Sequence, residues 1–383
     1  MEPDVIQRFL ESVGQKADID LYLKLFQSER KESFAILVAE AGVVKNALDP
    51  LHFDLRILAG LGLIPIVILG LFDATDADTN AKRVKDWLEE DLVPAEIISV
   101  QANMSDDDLA AIRAAITRGS IPLVSMQTAQ TLQVDHRFNL LQRLSNTLES
   151  HKVVYLSTGS GLGRRNTPHI SVINLATDYD LLMKEDTLSR RQQLVLRRTR
   201  QLLEQAPHRM TASVVNPLNL LRELFTINGA GTLIRKGSTV RSASSLEGID
   251  KPRLQALIES AFKRRMLPGV LDRNYERAFI ESGYRGAALL EQSPAGIYLS
   301  KFVVDRMAQG EGIGGDIWKV MTREFPSFFW RSRPDNFIVP WYVRNCSGMV
   351  RLNAWHIFWR NLTPEQIAPA IAYAEQRPRD LEG

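Results

Sequence analysis

Six residues, Gln309-Gly-Glu-Gly-Ile-Gly314, have the composition of an anion-binding turn. Residues 298–304, before them, are rich in aromatic and β-branched side chains and predict a buried strand. Ile313, Ile317 and Met321 recur at helical spacing, so the glycines stand where a helix begins. Backbone amides without intrahelical partners bind phosphate there, and glycine lets the phosphate come close. The residues expected to bind it are Gln309, Gly310, Gly312, Ile313 and Gly314.

Two arginines follow the helix on a second predicted strand. Arg331 and Arg333 are two residues apart, so their side chains share one face of that strand. Guanidinium groups bind carboxylates through paired hydrogen bonds, and two of them suit a substrate that carries two carboxylates. The alternative is a pair of exposed arginines that make ordinary salt bridges.

The order of these pieces resembles a known family. Gln-x-x-Gly-x-Gly between strand and helix is similar to the acetyl-CoA pyrophosphate loop of the GCN5-related acetyltransferases. Tyr298-Leu-Ser-Lys-Phe302 before it, and Phe329-Trp-Arg-Ser-Arg-x-x-Asn-x-x-x-x-Trp-Tyr342 after it, resemble the synthase domain of the N-acetylglutamate synthases, including the bifunctional synthase/kinases. The resemblance implies acetyl transfer from acetyl-CoA to the α-amine of L-glutamate, the first step of arginine biosynthesis. The alternative is that the glycines form only a strand-to-helix turn and bind no ligand.

The resemblance also assigns expected roles to side chains. Tyr342 would protonate the departing thiolate, and Asn336 would hold the substrate carboxylate or the carbonyl. Ser300 and Cys346 stand where relatives carry Asp and Ser, and Arg264 stands where they usually carry Lys. The complete expectation has Tyr342, Asn336 and Tyr298 as catalytic residues; Arg331, Arg333, Lys301, Phe302 and Arg264 as substrate-binding residues; and Val303 and Val304 as residues that pair with the pantetheine arm.

The N-terminal half predicts a different architecture. Apolar stretches at 34–38 and 65–69 flank a helix at 49–63, an order typical of a parallel sheet covered by helices. Ile173-Asn-Leu-Ala-Thr-Asp-Tyr179 and Arg222-Glu-Leu-Phe-Thr-Ile-Asn-Gly-Ala-Gly-Thr-Leu-Ile234 resemble the amino-acid-kinase domain that precedes the acetyltransferase in the same family.

The kinase-like half lacks the phosphate-binding residues of that family. Working kinases carry Lys-x-Gly-Gly after the first strand and a glycine-rich loop after the second. Here the two sites read Val38-Ala-Glu-Ala-Gly42 and Leu69-Gly-Leu-Phe-Asp73, and the carboxylates of Glu40 and Asp73 would repel phosphate. We therefore expect no kinase activity.

The fold prediction is an α/β amino-acid-kinase-like domain with a parallel-rich sheet between helices, followed by an α+β acetyltransferase domain. Residues 1–237 are assigned to the first domain and 251–383 to the second. The Ser-rich, polar stretch 238–250 is assigned to a linker.

L-Arginine is an expected effector of the kinase-like domain. In arginine-sensitive relatives the N-terminal helix and the residues that match Glu223 and Gly229 surround arginine, and the carboxylate binds its guanidinium. The alternative is that Glu223 only bridges elements within its own domain.

Composition excludes several other classes of protein. The 383 residues carry a net charge of +2, which indicates neither nucleic-acid nor membrane-surface binding. The apolar run 57–72 contains Pro65 and predicts a helix and a strand rather than a membrane span. The single cysteine, Cys346, fits the reducing environment of the cytoplasm, and the six histidines lack metal-ligand spacing.

We expect a homo-oligomer. The alternative functions are acyl transfer to another amino acid and a non-catalytic protein that binds CoA or arginine.

Overall fold

The computed structural model describes residues 9–382, except 102, 128–132, 164–167, 185–186, 227–228, 238, 306–311 and 337. The chain divides into two compact units, Met1–Gly237 and Ser238–Gly383. No helix in the described residues is long and apolar enough to cross a membrane.

The N-terminal unit alternates strands and helices along the chain. Its strands are β1 (Ile36–Ala39), β2 (Ile66–Leu69), β3 (Ala95–Ser99), β4 (Ile121–Ser125), β5 (Lys152–Leu156), β6 (Val172–Asn174), β7 (Thr211–Val215) and β8 (Thr232–Arg235). Its helices are α1 (Lys16–Ser28), α2 (Ala41–Asn46), α3 (Leu48–Gly60), α4 (Ala77–Glu90), α5 (Asp106–Thr117), α6 (Val134–Thr147), α7 (Tyr179–Lys184), α8 (Arg190–Gln205) and α9 (Leu220–Phe225).

These strands form one eight-stranded sheet in the order β3-β4-β2-β1-β5-β7-β8-β6. The pairs β1–β2, β1–β5, β2–β4, β3–β4, β5–β7 and β6–β8 are parallel, and β7–β8 is antiparallel. All four residues of β1 and of β2 are buried, as expected for central strands with helices on both faces. The predicted strand–helix–strand order and the parallel sheet are confirmed.

The C-terminal unit is a second, seven-stranded sheet with the order β14-β15-β13-β12-β11-β10-β9. Its strands are β9 (Val240–Ala243), β10 (Arg277–Glu281), β11 (Gly286–Ser293), β12 (Gly296–Val304), β13 (Phe328–Ser332), β14 (Gly348–Arg351) and β15 (His356–Arg360). Its helices are α10 (Lys251–Phe262), α11 (Ile313–Glu324), α12 (Val339–Asn345) and α13 (Pro364–Gln376).

The two faces of this sheet have separate cores. Leu299, Phe302 and Phe328 pack with α11 and α12 on one face. On the other face, Val303 packs with α10, and Tyr298 packs with α13. The polar stretch 238–250 was predicted to be a linker. That prediction was wrong for Val240–Ala243, which pairs with β10 as an edge strand. Edge strands are often short and polar, which removes the apolar signal from the sequence.

Candidate active site

Helix α11 begins as the glycine pattern predicted. Gly312 precedes its first turn with a φ of +74° and, as a glycine, contributes no capping side chain of its own. A Cβ atom on Gly314 would lie 3.2 Å from Cγ2 of Val304, so glycine lets the helix start close to the end of β12. The side chain of Ile313 is buried in the core, which leaves only its backbone for a ligand. Gln309 and Gly310 lie outside the described residues.

Beside this helix start, β12 and β13 separate. The two parallel strands pair only at Tyr298 and Phe329. Beyond that point residues 299–304 of β12 pair with β11 alone, and β13 pairs with β15 on its other side. The backbone between the strands therefore has hydrogen-bonding groups that an extended ligand can satisfy. The slot opens toward the end of β12 that leads to α11.

A β-bulge at Ser300 decides which side chains of β12 share a face of the sheet. Leu289 pairs with Lys301 and Leu290 pairs with Leu299, so Ser300 is one extra residue in β12. As a result Tyr298 and Lys301 lie on one face of the sheet, whereas Leu299 and Phe302 lie on the other.

Lys301 is 4% exposed and forms an ion pair with Asp380. Nη1 of Arg273 also donates to Asp380, at 2.6 Å. Burial lowers the pKa of Lys301, against the attraction of Asp380. Burial would raise the pKa of Asp380, but Lys301 and Arg273 hold it below its ordinary value. The amino group of Lys301 therefore already has a carboxylate partner.

Arg331 is also bound by the C-terminal segment. Its Nη1 donates to the carbonyl oxygens of Ala374 and Arg377, both at 2.7 Å, and Nη2 donates to that of Pro378 at 2.9 Å. Its guanidinium lies 4.1 Å from the ring centroid of Trp355. Arg331 thus satisfies carbonyls that remain open at the end of α13.

Arg333 shares the face of Arg331, since its guanidinium lies 5.9 Å from the same Trp355 ring. It is half-buried, and no hydrogen bond or ion pair joins its side chain to the described part of the chain. Arg333 is therefore the better placed of the two to bind a substrate carboxylate.

Tyr298 and Tyr342 are both buried, at 3% and 5% exposure. Burial raises the pKa of Tyr298 to about 12, partly offset by Arg331 and Arg377. Burial also raises the pKa of Tyr342, and Tyr298 adds to the effect. Both hydroxyls therefore keep their protons at neutral pH. The ring of Tyr342 packs 5.4 Å from Trp330, while its neighbour Trp341 stacks on Phe302 at 5.6 Å.

Asn336 lies in the turn before α12, where its Oδ1 accepts the backbone N–H of Ile338 at 3.3 Å. This bond leaves the amide NH₂ for a ligand. Arg264 follows α10, and its Nη1 donates to the carbonyl of Glu382 at 3.5 Å, in the same C-terminal segment that carries Asp380.

Residues 240–376 match the family model "NAT, N-acetyltransferase, of N-acetylglutamate synthase". The C-terminal unit is an N-acetyltransferase domain of the N-acetylglutamate synthase family. The chain therefore carries an N-acetyltransferase, and the strands of the slot and the start of α11 lie within the matched residues.

Relatives extend the similarity to the kinase-like unit. A protein of Xanthomonas campestris pv. campestris named acetylglutamate kinase is 29% identical over 422 residues, which cover 96% of this chain and 99% of the relative. The mitochondrial N-acetylglutamate synthase of Danio rerio is 31% identical over 268 residues, 67% of this chain and 51% of the relative.

Solved structures show the same fold. The N-acetylglutamate synthase from Neisseria gonorrhoeae, complexed with coenzyme A and N-acetyl-glutamate, matches with a TM-score of 0.53 at 17% identity, over 91% of this chain and 98% of that one. The same protein complexed with coenzyme A and L-arginine matches with a TM-score of 0.51 at 17% identity, over 90% and 98% of the two chains. The predicted two-domain fold class is confirmed.

The ends of β1 and β2 meet a cleft of about 210 Å³ in the kinase-like unit. Arg191 forms an ion pair with Glu40 at 3.1 Å, and its guanidinium lies 4.4 Å from the ring centroid of Phe72. Buried Arg137 donates to the carbonyls of Leu71 and Phe72 at 2.8 and 2.9 Å. Charged and aromatic side chains thus line the place where working kinases of the family carry phosphate-binding glycines.

Glu223 is 4% exposed and fully engaged within its own unit. Oε1 accepts bonds from Ser213 at 2.6 Å and Lys152 at 3.1 Å, while Oε2 accepts the amides of Ala230 and Gly231 at 2.9 and 3.1 Å. A Cβ atom on Gly229 would lie 2.5 Å from Oε2, so glycine lets this loop wrap the carboxylate. These contacts fit the internal-bridge alternative, and arginine would have to displace Lys152.

The sequence interpretation missed the partners of the predicted cations. Asp380, Arg273, Glu291 and Arg377 surround Tyr298 and Lys301, and Arg377 pairs with Glu291 and lies 4.9 Å from the Tyr298 ring centroid. Asp380 is 79 positions from Lys301 along the chain. The short polar stretch after α13 carries no motif that could have revealed this contact.

Proposed function

We propose that this protein transfers acetyl from acetyl-CoA to the α-amine of L-glutamate, and that it has no kinase activity. The observation that carries the proposal is the slot between β12 and β13, which opens beside the glycine-containing start of α11. The match to the N-acetyltransferase of N-acetylglutamate synthase over residues 240–376 supports the choice of reaction.

In this proposal the backbone binds acetyl-CoA. The amides of Gly312, Ile313 and Gly314 bind the pyrophosphate, together with the positive end of the α11 dipole. Residues 302–304 present open backbone groups to the amide bonds of the pantetheine arm. The thioester is then held in the slot near the bulge at Ser300, next to Tyr298 and Lys301.

The glutamate carboxylates bind cations on the opposite side of the reacting centre. Arg333 binds one carboxylate, since no ion pair occupies it in the described residues. The NH₂ group of Asn336 is a second donor nearby in the chain. Lys301 and Arg331 shape the site and contribute positive potential while Asp380 and the carbonyls after α13 hold them in place.

Tyr342 supplies a proton to the departing thiolate. Burial raises the pKa of Tyr342, so the hydroxyl is protonated at neutral pH and can act as general acid. Its position on α12 is set by Trp341, which stacks on Phe302 of β12.

An acceptor screen tests the reaction. Purified full-length protein should release CoA from acetyl-CoA with L-glutamate and far more slowly with L-glutamine, which lacks the second negative charge. L-Aspartate, with two carboxylates but a shorter chain, is the matched control for length. Equal rates with neutral amino acids would overturn the assignment to glutamate, and no acetyl transfer to any amino acid would favour a non-catalytic role.

L-Arginine is proposed as an effector of the kinase-like unit, in a homo-oligomeric, cytoplasmic enzyme. The Neisseria gonorrhoeae protein of this family has been crystallised with L-arginine. Calorimetry with L-arginine, using wild type and Glu223→Gln, tests the proposed contact. Binding that is lost in the variant supports it, and binding that is unchanged places the effector elsewhere.

A further inference from the structure

A second cleft in the N-terminal unit contains a buried carboxyl group that has no partner. The cleft has a volume of about 640 Å³ and lies between residues 9–13, the start of α3, and residues 218–222. Asp54 of α3 lines it and is 6% exposed. Its Oδ2 has no hydrogen-bond partner, and no ion pair reaches this side chain from the described residues.

An unpaired buried carboxyl lowers the stability of the folded protein, so its position in a cleft indicates a ligand-binding site. A charge removed from water without a partner destabilises the fold by several kcal/mol in general, or it binds a proton instead. Burial accordingly raises the pKa of Asp54 to about 8. A cation that entered the cleft would favour the charged form and remove this penalty.

The walls of the cleft suit an organic cation better than a metal ion. Phe9 and Phe53 meet edge to face with ring centroids 5.0 Å apart, and Pro50 and Leu218 add apolar surface. Aromatic faces attract ammonium and guanidinium groups. Among the residues that the structure describes, no group of three or more His, Cys, Asp or Glu side chains could hold a metal ion.

The other charged groups of the cleft lie at its rim. Asp49 lies five residues before Asp54 on α3 and is exposed, and Arg222 is exposed on α9. The negative charge of Asp49 would attract a cation to the entrance. Arg222 could bind a carboxylate on the same ligand but is not needed for a simple amine.

We propose that this cleft binds a small organic cation, an alkylamine or alkylguanidine, whose charged head pairs with Asp54 and whose chain packs on Phe9 and Phe53. The proposal is independent of acetyl transfer, because every residue in it belongs to the N-terminal unit. It is also distinct from the contact proposed for Glu223, whose carboxylate is satisfied internally.

Calorimetry on the full-length protein tests the proposal, with agmatine and n-butylamine as probes and n-butanol as the uncharged control. Both cations should bind, and n-butanol should not. Asp54→Asn keeps the shape of the side chain, and it should weaken binding of either cation by about tenfold or more. Asp49→Asn is the matched control on the same helix and should change affinity by only a few-fold.

Thermal unfolding without ligand separates this role from a structural one. If the Asp54 carboxyl is unpaired in the ligand-free protein, Asp54→Asn should melt at a higher temperature than wild type, because the variant no longer buries an unpaired carboxyl. A lower melting temperature would mean that Asp54 already has a structural partner, and it would overturn the proposal. So would the absence of cation binding at millimolar concentration, or an Asp54→Asn variant that only dissociates an oligomer.

Discussion

Each unit of this molecule places a turn between a buried strand and a helix, but only one of the two turns suits an anion. In the C-terminal unit, Gly312 and Gly314 bring no side chain to the start of α11. In the N-terminal unit, the turn from β1 to α2 carries Glu40, which pairs with Arg191, and Phe72 follows β2 nearby. The two N-cap residues differ in both backbone and side chain: Gly312 has a φ of +74°, whereas Glu40 has a φ of −68° and carries a carboxylate that would repel phosphate.

The comparison teaches that a strand–turn–helix unit is not evidence of a phosphate site by itself. Helix dipoles and open amides attract anions only where no carboxylate or bulky ring takes the space first. The positive charge of Arg191 does not restore a phosphate site, because the carboxylate of Glu40 neutralises that charge. Four predictions test this difference between the two units.

The largest effect is expected at Tyr342, in the unit assigned to the chemistry. Tyr342→Phe should lower kcat by about 10²–10⁴-fold, since the phenyl ring keeps the packing but has no proton to donate. Steady-state rates at saturating acetyl-CoA and glutamate measure this. Tyr155→Phe, at a buried tyrosine of the other unit whose hydroxyl accepts a bond from Thr199, is the control and should leave kcat unchanged. Near-wild-type turnover by Tyr342→Phe would remove the residue from the mechanism.

The two arginines after α11 should separate into a binding residue and a structural residue. Arg333→Ala should raise KM for glutamate by roughly 30- to 1,000-fold, which corresponds to about 2–4 kcal/mol, because a buried carboxylate would lose its partner. The melting temperature should hardly change.

Arg331→Ala is the matched variant on the same face of β13. It removes three hydrogen bonds to carbonyls after α13 and should cost about 2–4 kcal/mol of unfolding free energy. Calorimetric or denaturant unfolding of both variants provides the check. If both variants unfold alike, the assignment of Arg333 to substrate binding is wrong.

Gly315 lets the anion site itself be tested without disturbing the fold. Nothing lies within 4 Å of a Cβ atom added there. Gly315→Glu places a negative charge in the first turn of α11, which stabilises the helix dipole but should raise KM for acetyl-CoA about tenfold through repulsion of the pyrophosphate. Gly315→Ala is the uncharged control. A KM that stays at the wild-type value in Gly315→Glu would place the pyrophosphate elsewhere.

The last prediction concerns ATP, to which we expect no response of the N-terminal unit. With ATP, Mg²⁺ and N-acetylglutamate, ADP formation should stay at background, and ATP should not raise the melting temperature. Acetyl transfer by the same sample is the positive control for folded protein. Turnover that disappears on mutation of the N-terminal unit would show a working kinase.

The sequence predicted those parts of the fold that have a periodic apolar signal. The strands of the central sheet, the helices between them and the glycine start of α11 were read from the spacing of Ile, Val, Leu and Gly. Val240–Ala243 was assigned to a linker, because an edge strand with polar residues has no such signal.

The predicted site was less complete than the predicted fold. Lys301, Arg331 and Tyr298 were chosen for their charge or their hydroxyl group, and each of these side chains is buried or partly buried near the others. Their partners depend on where the segment after α13 folds back, and long-range pairing of that kind is not encoded in local spacing. The single-residue bulge at Ser300 could not be predicted either, because one extra residue leaves the composition of β12 unchanged.

That bulge keeps the faces of β12 correct although the strand is one residue longer than its partner requires. Without Ser300, Leu299 would still lie opposite Leu290 and Lys301 opposite Leu289, so every side chain would keep its face. If Ser300 instead paired regularly with Leu289, Lys301 would enter the apolar layer beside α11 and Phe302 would leave it. The register of β12 against β11, rather than the type of side chain at position 300, therefore holds Tyr298 and Lys301 on one face of the sheet.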